Sequence, residues 1–284
     1  MRILITGKNS FVGNHLATWL EKSDDNFDIS KISLKDDQWR GIDFSNFDVV
    51  VHVAGIAHVS TDPNMEEKYY KVNRDLTEEV ALKAKNEGVK QFVFLSSIIV
   101  YDNQEINTLH ITESTNPEPA NFYGDSKLQA EERIKPLESD DFKVAIIRPP
   151  MVYGKGSKGN YPKLSKFSRV FPIFPDYNNQ RSMIHIDILS EFIRLVMVNQ
   201  DSGIFYPQNR EYVRTTDLMV EIRKAHGKKT YLTKVFNPII DALVNRITLL
   251  NKLFGSLTYD LELSKYSDDY QILSFEETIK ETER

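Results

Sequence analysis

The chain has 284 residues, of which 40% are hydrophobic and 27% charged, a composition typical of a folded soluble protein. It holds no cysteine, which excludes disulfides, thiolate nucleophiles and cysteine-bound metals. Its net charge of −5 argues against a nucleic-acid-binding protein, which would carry a basic excess. The first residues turn polar too quickly for a signal peptide, and no apolar run reaches the roughly 18 residues of a membrane span. We therefore expect a soluble, cytoplasmic protein.

The first 150 residues alternate predicted strands and helices. Short apolar runs predict strands at 2–5, 27–34, 48–54, 91–96 and 144–148, and amphipathic patterns predict helices at 12–22, 64–86 and 123–138. This alternation is typical of an α/β protein with a doubly wound parallel sheet. We therefore predict one domain over 1–150.

The pattern changes after this domain. Residues 151–182 show little periodicity, and a long irregular stretch in a compact protein is typical of a functional segment or of disorder. Helical patterns return further on, at 188–199, 215–227 and 236–254. The apolar face of 236–254 fits either packing or a membrane surface, and its sparse Lys and Arg favour packing. We predict a smaller C-terminal substrate-binding lobe over 151–284, with the chain crossing back between the lobes near 183–200.

A turn between the first strand and the first helix carries two glycines. Gly7 permits a tight turn, and Gly13 permits close packing of the helix on the sheet. Backbone N–H groups at the start of a helix bind phosphate, so this segment, with Ser10, Phe11 and Val12, predicts a dinucleotide site. Ser10 stands where the usual glycine pattern has its middle glycine. The segment is also compatible with an ordinary strand–loop–helix turn.

Tyr123 and Lys127 are four residues apart on a predicted helix, so their side chains share one face. A tyrosine with an ordinary pKa of about 10 is a poor base at neutral pH, and a neighbouring ammonium together with a positively charged nicotinamide ring would favour tyrosinate. Such a tyrosine can exchange a proton with a substrate hydroxyl or carbonyl while hydride moves to or from the cofactor. Ser97 lies at the carboxyl end of a buried strand, where doubly wound sheets bind ligands, and could hold the substrate oxygen. Each pattern alone also fits an exposed helix face or a loop.

With these three features in order, the chain resembles the extended short-chain dehydrogenase/reductase family, the Rossmann-fold nucleotide-sugar epimerases, dehydratases and reductases. By that resemblance Ser97, Tyr123 and Lys127 are catalytic and NAD(P) is the cofactor. The resemblance implies a cofactor site formed by Gly7, Ser10, Phe11, Val12, Gly13, Asp43, Phe44, Val53, Ala54, Gly55, Asn73, Tyr123, Lys127 and Pro150. It also implies that the substrate is bound by Ser97, Asn160 and Arg181, with the Arg181 guanidinium on the diphosphate.

The end of the second predicted strand bears on the choice between NAD and NADP. Proteins that prefer NAD place an Asp or Glu there, which accepts from the ribose 2′-hydroxyl. This chain has Ser33 and Lys35, which suit a 2′-phosphate, although Asp36 and Asp37 follow directly. We therefore include Ser33 and Lys35 in the cofactor site and predict NADP over NAD.

The catalytic residues leave the reaction open. By this resemblance, the members that eliminate water carry Thr-Asp-Glu after the strand serine. Here Ile98 and Ile99 follow Ser97 and cannot transfer protons, so we reject a 4,6-dehydratase. We predict 4-epimerisation of a UDP-sugar such as UDP-glucose or UDP-GlcNAc, in which the cofactor stays bound. The alternative is an NADPH-dependent reduction of a 4-keto UDP-linked deoxy amino sugar, and either reaction would serve polysaccharide biosynthesis. A second alternative is a non-catalytic nucleotide-binding protein, against which the retained Tyr123 and Lys127 argue.

The resemblance also implies a homodimer, in which two helices of each subunit form a four-helix contact. The matching helices, 64–86 and 123–138, carry apolar residues that could form this contact or pack on the sheet, namely Val80, Leu82, Ala84, Leu128, Ala130 and Ile134. We expect no metal site, because His52 and His58 have no second histidine pair or carboxylate cluster near them in the sequence. We also expect no nucleic-acid partner.

Overall fold

The computed structural model describes residues 1–56, 62–101 and 108–284. The chain divides into two compact units. Unit 1 consists of Met1–Asp102, Asn116–Pro149 and Leu189–Pro207, and unit 2 consists of Asn103–Thr115, Pro150–Ile188 and Gln208–Arg284. A late segment of the chain therefore returns to unit 1. The assignment of the cofactor to the first part of the chain and of the substrate to the second stays a prediction.

The elements of the described ranges follow in chain order. The strands are β1 (Arg2–Thr6), β2 (Asp28–Ile32), β3 (Val49–His52), β4 (Gln91–Leu95), β5 (Thr108–Ile111), β6 (Lys143–Ile147), β7 (Met151–Tyr153), β8 (Ile173–Pro175), β9 (Met183–His185), β10 (Gly203–Phe205), β11 (Tyr231–Thr233) and β12 (Ser256–Tyr259). The helices are α1 (Phe11–Glu21), α2 (Glu66–Tyr69), α3 (Leu76–Asn86), α4 (Phe122–Ile134), α5 (Asn160–Val170), α6 (Ile186–Val198), α7 (Thr215–Ala225), α8 (Asn237–Leu243), α9 (Thr248–Phe254) and α10 (Phe275–Glu283).

Unit 1 contains a six-stranded sheet in the order β10-β6-β4-β3-β1-β2, and all of its neighbouring strands run parallel. The predicted α/β class is therefore confirmed. Every residue of β3 is buried, as expected for a strand with both faces covered. The winding direction reverses between β1 and β3, and the carboxyl ends of strands at such a reversal are where doubly wound sheets bind ligands.

The predicted helix 64–86 is interrupted in the structure. α2 is followed by a π-helical turn, Tyr70–Asp75, before α3 begins, and such turns concentrate at functional sites. Four residues named above for a dimer contact lie in the hydrophobic core of unit 1 with side chains of the sheet, namely Val80, Ala84, Ala130 and Ile134. These four therefore do not supply that contact, whereas Leu82 is 38% exposed.

His52 ends β3 and is fully buried. Its Nδ1 lies 3.0 Å from Thr6 Oγ1, and its Nε2 lies 3.1 Å from Thr77 Oγ1. The Thr77 hydroxyl donates to the Asn73 carbonyl at 2.7 Å, so it accepts from His52 Nε2–H. His52 Nδ1 then accepts from the Thr6 hydroxyl. Burial and, next, the charge of Lys127 lower the pKa of His52 to about 3, so the ring is a neutral part of the core.

Unit 2 departs from the sequence prediction in two places. The prediction of an irregular stretch over 151–182 is wrong, because α5 spans Asn160–Val170. Its buried residues recur at helical spacing, but two of the four are serines, which hid the apolar pattern: Tyr161, Leu164, Ser165 and Ser168. The prediction of one helix over 236–254 is also wrong, because Ile247 is extended (φ −115°, ψ 108°) and separates α8 from α9.

Three pairs of short parallel strands complete the described part of unit 2: β5 with β12, β7 with β9, and β8 with β11. A core of apolar side chains, including Tyr153, Phe174 and Ile222, fills this unit. Among the helices that the structure describes, none combines the length and the apolar run needed to span a bilayer.

The neutral His52 makes the stability of unit 1 depend on pH. Below pH 6.5 the unfolded chain protonates this ring, whereas the folded chain does so only near a pKa of about 3, so acid favours unfolding. Relative to His52→Gln, the wild-type free energy of unfolding should fall by about 1.4 kcal/mol per pH unit across this window. Urea unfolding at a series of pH values measures the difference.

The control for this series is His110→Gln, since the His110 side chain is half exposed. Its unfolding free energy should follow that of the wild type at every pH. Parallel curves for wild type and His52→Gln would contradict a neutral, buried His52.

Candidate active site

The glycine turn after β1 packs tightly against the end of β3. Gly7 has φ +83°, and a Cβ there would lie 3.2 Å from the Ala54 backbone, so both conformation and space require glycine. Ser10 caps α1, because its Oγ accepts from the Gly13 N–H at 2.9 Å. A Cβ on Gly13 would lie 2.7 Å from that oxygen and 3.0 Å from Val53. The serine in place of the middle glycine therefore serves as the helix cap.

A cleft of about 1290 Å³ opens beside this turn in unit 1, which exceeds the roughly 300–1,000 Å³ of ordinary small-molecule pockets. Six of the predicted cofactor residues line it: Gly7, Ser10, Ser33, Lys35, Ala54 and Gly55. Phe11 and Val12 occupy the first turn of α1, where backbone N–H groups have no intrahelical acceptor. A large cleft that is lined by glycines and by N–H donors at the start of a helix fits a dinucleotide.

Basic side chains border the cleft near the end of β2. Lys8 and Lys35 line it, and in the described ranges neither pairs with a carboxylate. Arg40 also lines the cleft, but its guanidinium is held by Glu79 at 2.5 Å and by Asp37. Lys8 was not predicted as a cofactor residue. Its position directly after Gly7 was the signal that could have identified it.

The predicted cofactor residues that do not line this cleft include Asp43, Phe44 and Pro150. Asp43 is exposed and accepts from the backbone N–H of Ser45 at 3.0 Å, and its hydrogen bonds to Ser45 lower its pKa. Phe44 is fully buried in the core of unit 1, against Trp39. Pro150 is buried where a segment of unit 2 begins. The structure thus gives Asp43 and Phe44 roles in capping and packing.

Tyr123 is 8% exposed, and burial raises its pKa to about 12, against the opposing effect of the neighbouring Ser97 side chain. The Ser97 Oγ accepts from the Ile99 N–H at 3.2 Å. The sequence predicts that Lys127 lowers the pKa of Tyr123. The pKa is raised instead, because the phenol is buried. At neutral pH the phenol therefore keeps its proton.

Lys127 is buried at the carboxyl end of β4. Its Nζ donates to the Leu95 carbonyl at 2.9 Å and lies 4.6 Å from the centre of the Phe94 ring. Burial lowers the pKa of Lys127 to about 8, and the charge of Glu131 opposes this effect. The side chain is therefore a cation at neutral pH and can become neutral in mild alkali.

Gly55 lies between the cleft and Lys127. It lines the cleft, and a Cβ there would lie 3.0 Å from Asn73 Oδ1 and 3.3 Å from Lys127 Nζ. Asn73 accepts from the Ile56 N–H at 2.8 Å and donates to the Ser126 hydroxyl at 3.1 Å. The loop after β3, the π-helical turn and α4 are thus joined at this point.

A buried polar network behind the catalytic residues was not predicted. Glu131 and Arg148 form an ion pair at 2.5 Å, with side chains 3% and 5% exposed. The Ser96 hydroxyl donates to Glu131, and Arg148 donates to the Tyr101 hydroxyl at 2.5 Å. Ser96 and Ser97, which are adjacent in sequence, therefore have different partners.

The two predicted substrate residues of unit 2, Asn160 and Arg181, line one small cavity of about 20 Å³ together with Lys252. The Arg181 guanidinium donates to the Gly255 carbonyl at 2.9 Å. Within unit 2 the structure therefore brings a cation and an amide together, as a phosphate group would require.

Among the residues that the structure describes, no group of three or more His, Asp or Glu side chains could hold a metal ion. His52 instead has the core partners given above. His58 lies outside the described residues.

The glycine turn at a sheet reversal, the large cleft, and Ser97 with the buried Tyr123 and Lys127 define an NAD(P)-dependent enzyme of the short-chain dehydrogenase/reductase type. The family model of the NAD dependent epimerase/dehydratase family matches residues 3–206. The chain belongs to this family.

Three known proteins illustrate the likeness. The chain is 30% identical to the UDP-glucose 4-epimerase of Vibrio cholerae, over 93% of this chain and 88% of that one. The solved UDP-glucuronic acid 4-epimerase of Bacillus cereus, in complex with NAD, superposes with a TM-score of 0.73 at 18% identity, over 99% of this chain and 97% of that one. A dTDP-4-dehydrorhamnose reductase of Clostridium acetobutylicum ATCC 824 gives a TM-score of 0.73 at 17% identity, over 99% and 98%.

Breaking the buried ion pair should destabilise the protein strongly. Glu131→Gln leaves the Arg148 guanidinium buried without its carboxylate, and we expect a loss of about 3–5 kcal/mol in the free energy of unfolding. The double variant Glu131→Gln/Arg148→Met should recover most of it. Urea unfolding measures both.

The matched control is Glu262→Gln, because Glu262 pairs with Lys265 at a site where both side chains are 71% exposed. This change should cost no more than about 1 kcal/mol. A Glu131→Gln loss as small as that of the control would show that the buried pair does not stabilise the contact between α4 and the end of β6.

Proposed function

We propose that the protein is an NAD(P)-dependent 4-epimerase of a UDP-sugar. The observation that carries the proposal is the placement of Ser97 beside the buried Tyr123, with the Lys127 ammonium buried beside the cleft at Gly55. The names of two similar proteins, a UDP-glucose 4-epimerase and a UDP-glucuronic acid 4-epimerase, support the same reaction class.

The reaction needs one group that accepts and returns the proton of the sugar 4-hydroxyl. Tyr123 takes this role, and Ser97 holds the same oxygen by a hydrogen bond. When bound, the nicotinamide supplies the acceptor for the C4 hydride and, in its oxidised form, a positive charge. As the C4–H bond breaks, the hydroxyl proton passes to the Tyr123 phenolate and a 4-keto sugar results. Return of the hydride to the opposite face of C4, and of the proton to the 4-oxygen, gives the epimer.

Lys127 stabilises the state of Tyr123 that accepts a proton. The pKa of about 12 for Tyr123 shows that burial opposes a phenolate, so cationic charge nearby is required to lower it. Lys127 carries that charge below its own pKa of about 8. Acid–base catalysis of this kind contributes about 10²–10⁴-fold in rate.

Unit 2 offers a group for the nucleotide diphosphate. We propose that Arg181 and Asn160, which share one small cavity with Lys252, bind the diphosphate and its neighbouring atoms. A guanidinium matches phosphate oxygens in a forked geometry, and the Gly255 carbonyl fixes the Arg181 side chain.

A reductase of a 4-keto nucleotide sugar is the second candidate. Two observations favour it: the Tyr123 phenol is protonated at neutral pH, as a proton donor to a keto oxygen must be, and Lys35 lies on the cleft, as NADP would require. The fold of the similar dTDP-4-dehydrorhamnose reductase fits either reaction. Elimination of water is not proposed, because Ile98 and Ile99 beside Ser97 cannot transfer protons.

We propose NADP as the preferred cofactor, with Lys35, Ser33 and Lys8 around the ribose 2′-phosphate. Lys35→Glu should reverse the preference, because a carboxylate repels the phosphate and accepts from a 2′-hydroxyl. We expect the ratio of NADP to NAD affinity to fall at least about tenfold, as one lost charge-assisted contact implies. Titration of each cofactor by calorimetry measures it.

The control for this experiment is Lys22→Glu, since Lys22 is exposed at the end of α1 and does not line the cleft. It should leave both affinities unchanged. An unchanged ratio in Lys35→Glu would contradict the proposed 2′-phosphate site without affecting the proposed reaction.

Tyr123→Phe tests the reaction. Wild-type protein incubated with UDP-glucose or UDP-GlcNAc without added cofactor should interconvert the C4 epimers, and Tyr123→Phe should lose at least about 100-fold in kcat, since its proton-transfer group is gone. Tyr231→Phe removes a hydroxyl from an exposed tyrosine and should keep wild-type kcat. Chromatography of the sugar nucleotides measures both.

The same assay separates the candidates. No interconversion, together with oxidation of NADPH by a 4-keto sugar nucleotide, would establish the reductase instead. Turnover by Tyr123→Phe at the wild-type rate would exclude Tyr123 as the acid–base group in both.

A further inference from the structure

An exposed apolar surface lies on unit 2, away from the cavity of Asn160 and Arg181. It combines the carboxyl end of α5 with the edge formed by β8 and β11, and we define this apolar patch by Phe167, Val170, Phe171, Ile173, Tyr231 and Leu232. Each side chain is 46–66% exposed. Large apolar side chains gathered in this way on one surface mark interaction sites.

Several members of the apolar patch contact one another. The rings of Phe167 and Phe171 have centres 4.5 Å apart. Ile173 of β8 is opposite Tyr231 of β11 in the strand pairing, and the Tyr231 N–H donates to the Pro172 carbonyl at 2.8 Å. The centre of the Phe167 ring also lies 5.9 Å from that of Phe174 in β8, so α5 packs against this strand pair.

The patch continues along the chain that follows β11. Val235, Phe236 and Ile239 are 75%, 44% and 59% exposed. Asn237, at the start of α8, donates to the Asp176 carbonyl at 2.9 Å, which fixes this extension beside the end of β8.

Exposed basic residues flank the apolar patch along the chain. Exposed Lys and Arg residues occupy the polar side of α5 and both flanks of β11, namely Lys163, Lys166, Arg169, Lys228, Lys229 and Lys234. In the described ranges none of these six forms a salt bridge. The Lys228 ammonium instead donates to the Arg169 carbonyl at 2.7 Å, which keeps the two basic segments together.

The charge of this surface is opposite to that of the rest of the chain. Residues 155–175 and 228–239 together hold eight Lys and Arg and no Asp or Glu, which leaves 28 Lys and Arg against 41 Asp and Glu elsewhere. In this acidic protein, the exposed apolar side chains of the patch therefore lie in segments whose charged residues are all basic. Such a combination is typical of surfaces that bind the interface of an anionic bilayer.

We propose that this surface docks unit 2 onto an anionic phospholipid bilayer. The apolar patch enters the boundary between headgroups and acyl chains, and the six basic side chains bind the lipid phosphates. A second copy of this chain is a poorer occupant, because the same cations would face each other across a symmetric contact. The aliphatic members Val170, Ile173 and Leu232 favour hydrocarbon over the phosphate backbone of a nucleic acid.

Vesicle sedimentation tests the proposal with the full-length protein. Wild type should bind phosphatidylcholine vesicles that contain phosphatidylglycerol at least about tenfold more tightly than vesicles of phosphatidylcholine alone, because each basic residue is attracted to an anionic surface. High salt should weaken this binding. Equal binding to both vesicles, or no binding to the anionic ones, would overturn the proposal.

Two paired variants separate the charges from the apolar side chains. Lys166→Glu/Lys229→Glu should lose at least about tenfold in affinity for anionic vesicles, and Phe171→Ser/Leu232→Ser should lose a similar factor because insertion contributes apolar burial. Retained affinity in the first pair would refute electrostatic docking. Retained affinity in the second would show adsorption without insertion and would overturn the docking geometry.

Matched controls come from unit 1. Lys22→Glu/Lys90→Glu changes two exposed lysines, and Leu82→Ser removes a residue that is 38% exposed, so both should bind like the wild type. All variants should keep the wild-type circular dichroism spectrum and kcat, because none alters the residues placed around the cleft or at Tyr123. Membrane binding can thus fail while the proposed reaction stands.

Discussion

The buried ammonium of Lys127 is the group on which the site of unit 1 depends. A cation out of water costs free energy unless its partners offset that cost, and the Leu95 carbonyl, the Phe94 ring and the charge of Glu131 do so. The same charge helps to keep His52 neutral. One side chain thus sets the electrostatics at the carboxyl ends of β3 and β4.

Hydrogen bonds extend this arrangement to the cleft. Asn73, in the π-helical turn, joins the loop after β3 to Ser126 of α4, and the ion pair of Glu131 and Arg148 joins α4 to the end of β6. The helix that carries Tyr123 is therefore fixed relative to the glycine turn. Preorganisation of this kind supplies much of the rate in acid–base enzymes.

The sequence predicted those features whose chemistry requires fixed local spacing. Gly7, Tyr123 and Lys127 could be found because a tight turn and an i, i+4 helix pair are local patterns. The pair of Glu131 and Arg148 could not, since it joins residues brought together only by the sheet. Helix α5 was missed because its buried face includes serines. The capping role of Asp43 was missed because an aspartate in a turn and an aspartate that contacts adenine look alike in the sequence.

The proposed epimerisation requires that hydride leaves and returns to C4 of a UDP-sugar within one bound complex. The most direct measurement is the fate of deuterium placed at C4 of UDP-glucose or UDP-GlcNAc, followed by mass spectrometry of the separated epimers. The product epimer should keep its deuterium, while solvent protons exchange only at oxygen. Product that has lost the label to solvent, or an absence of any C4 epimer, would contradict the proposed epimerisation.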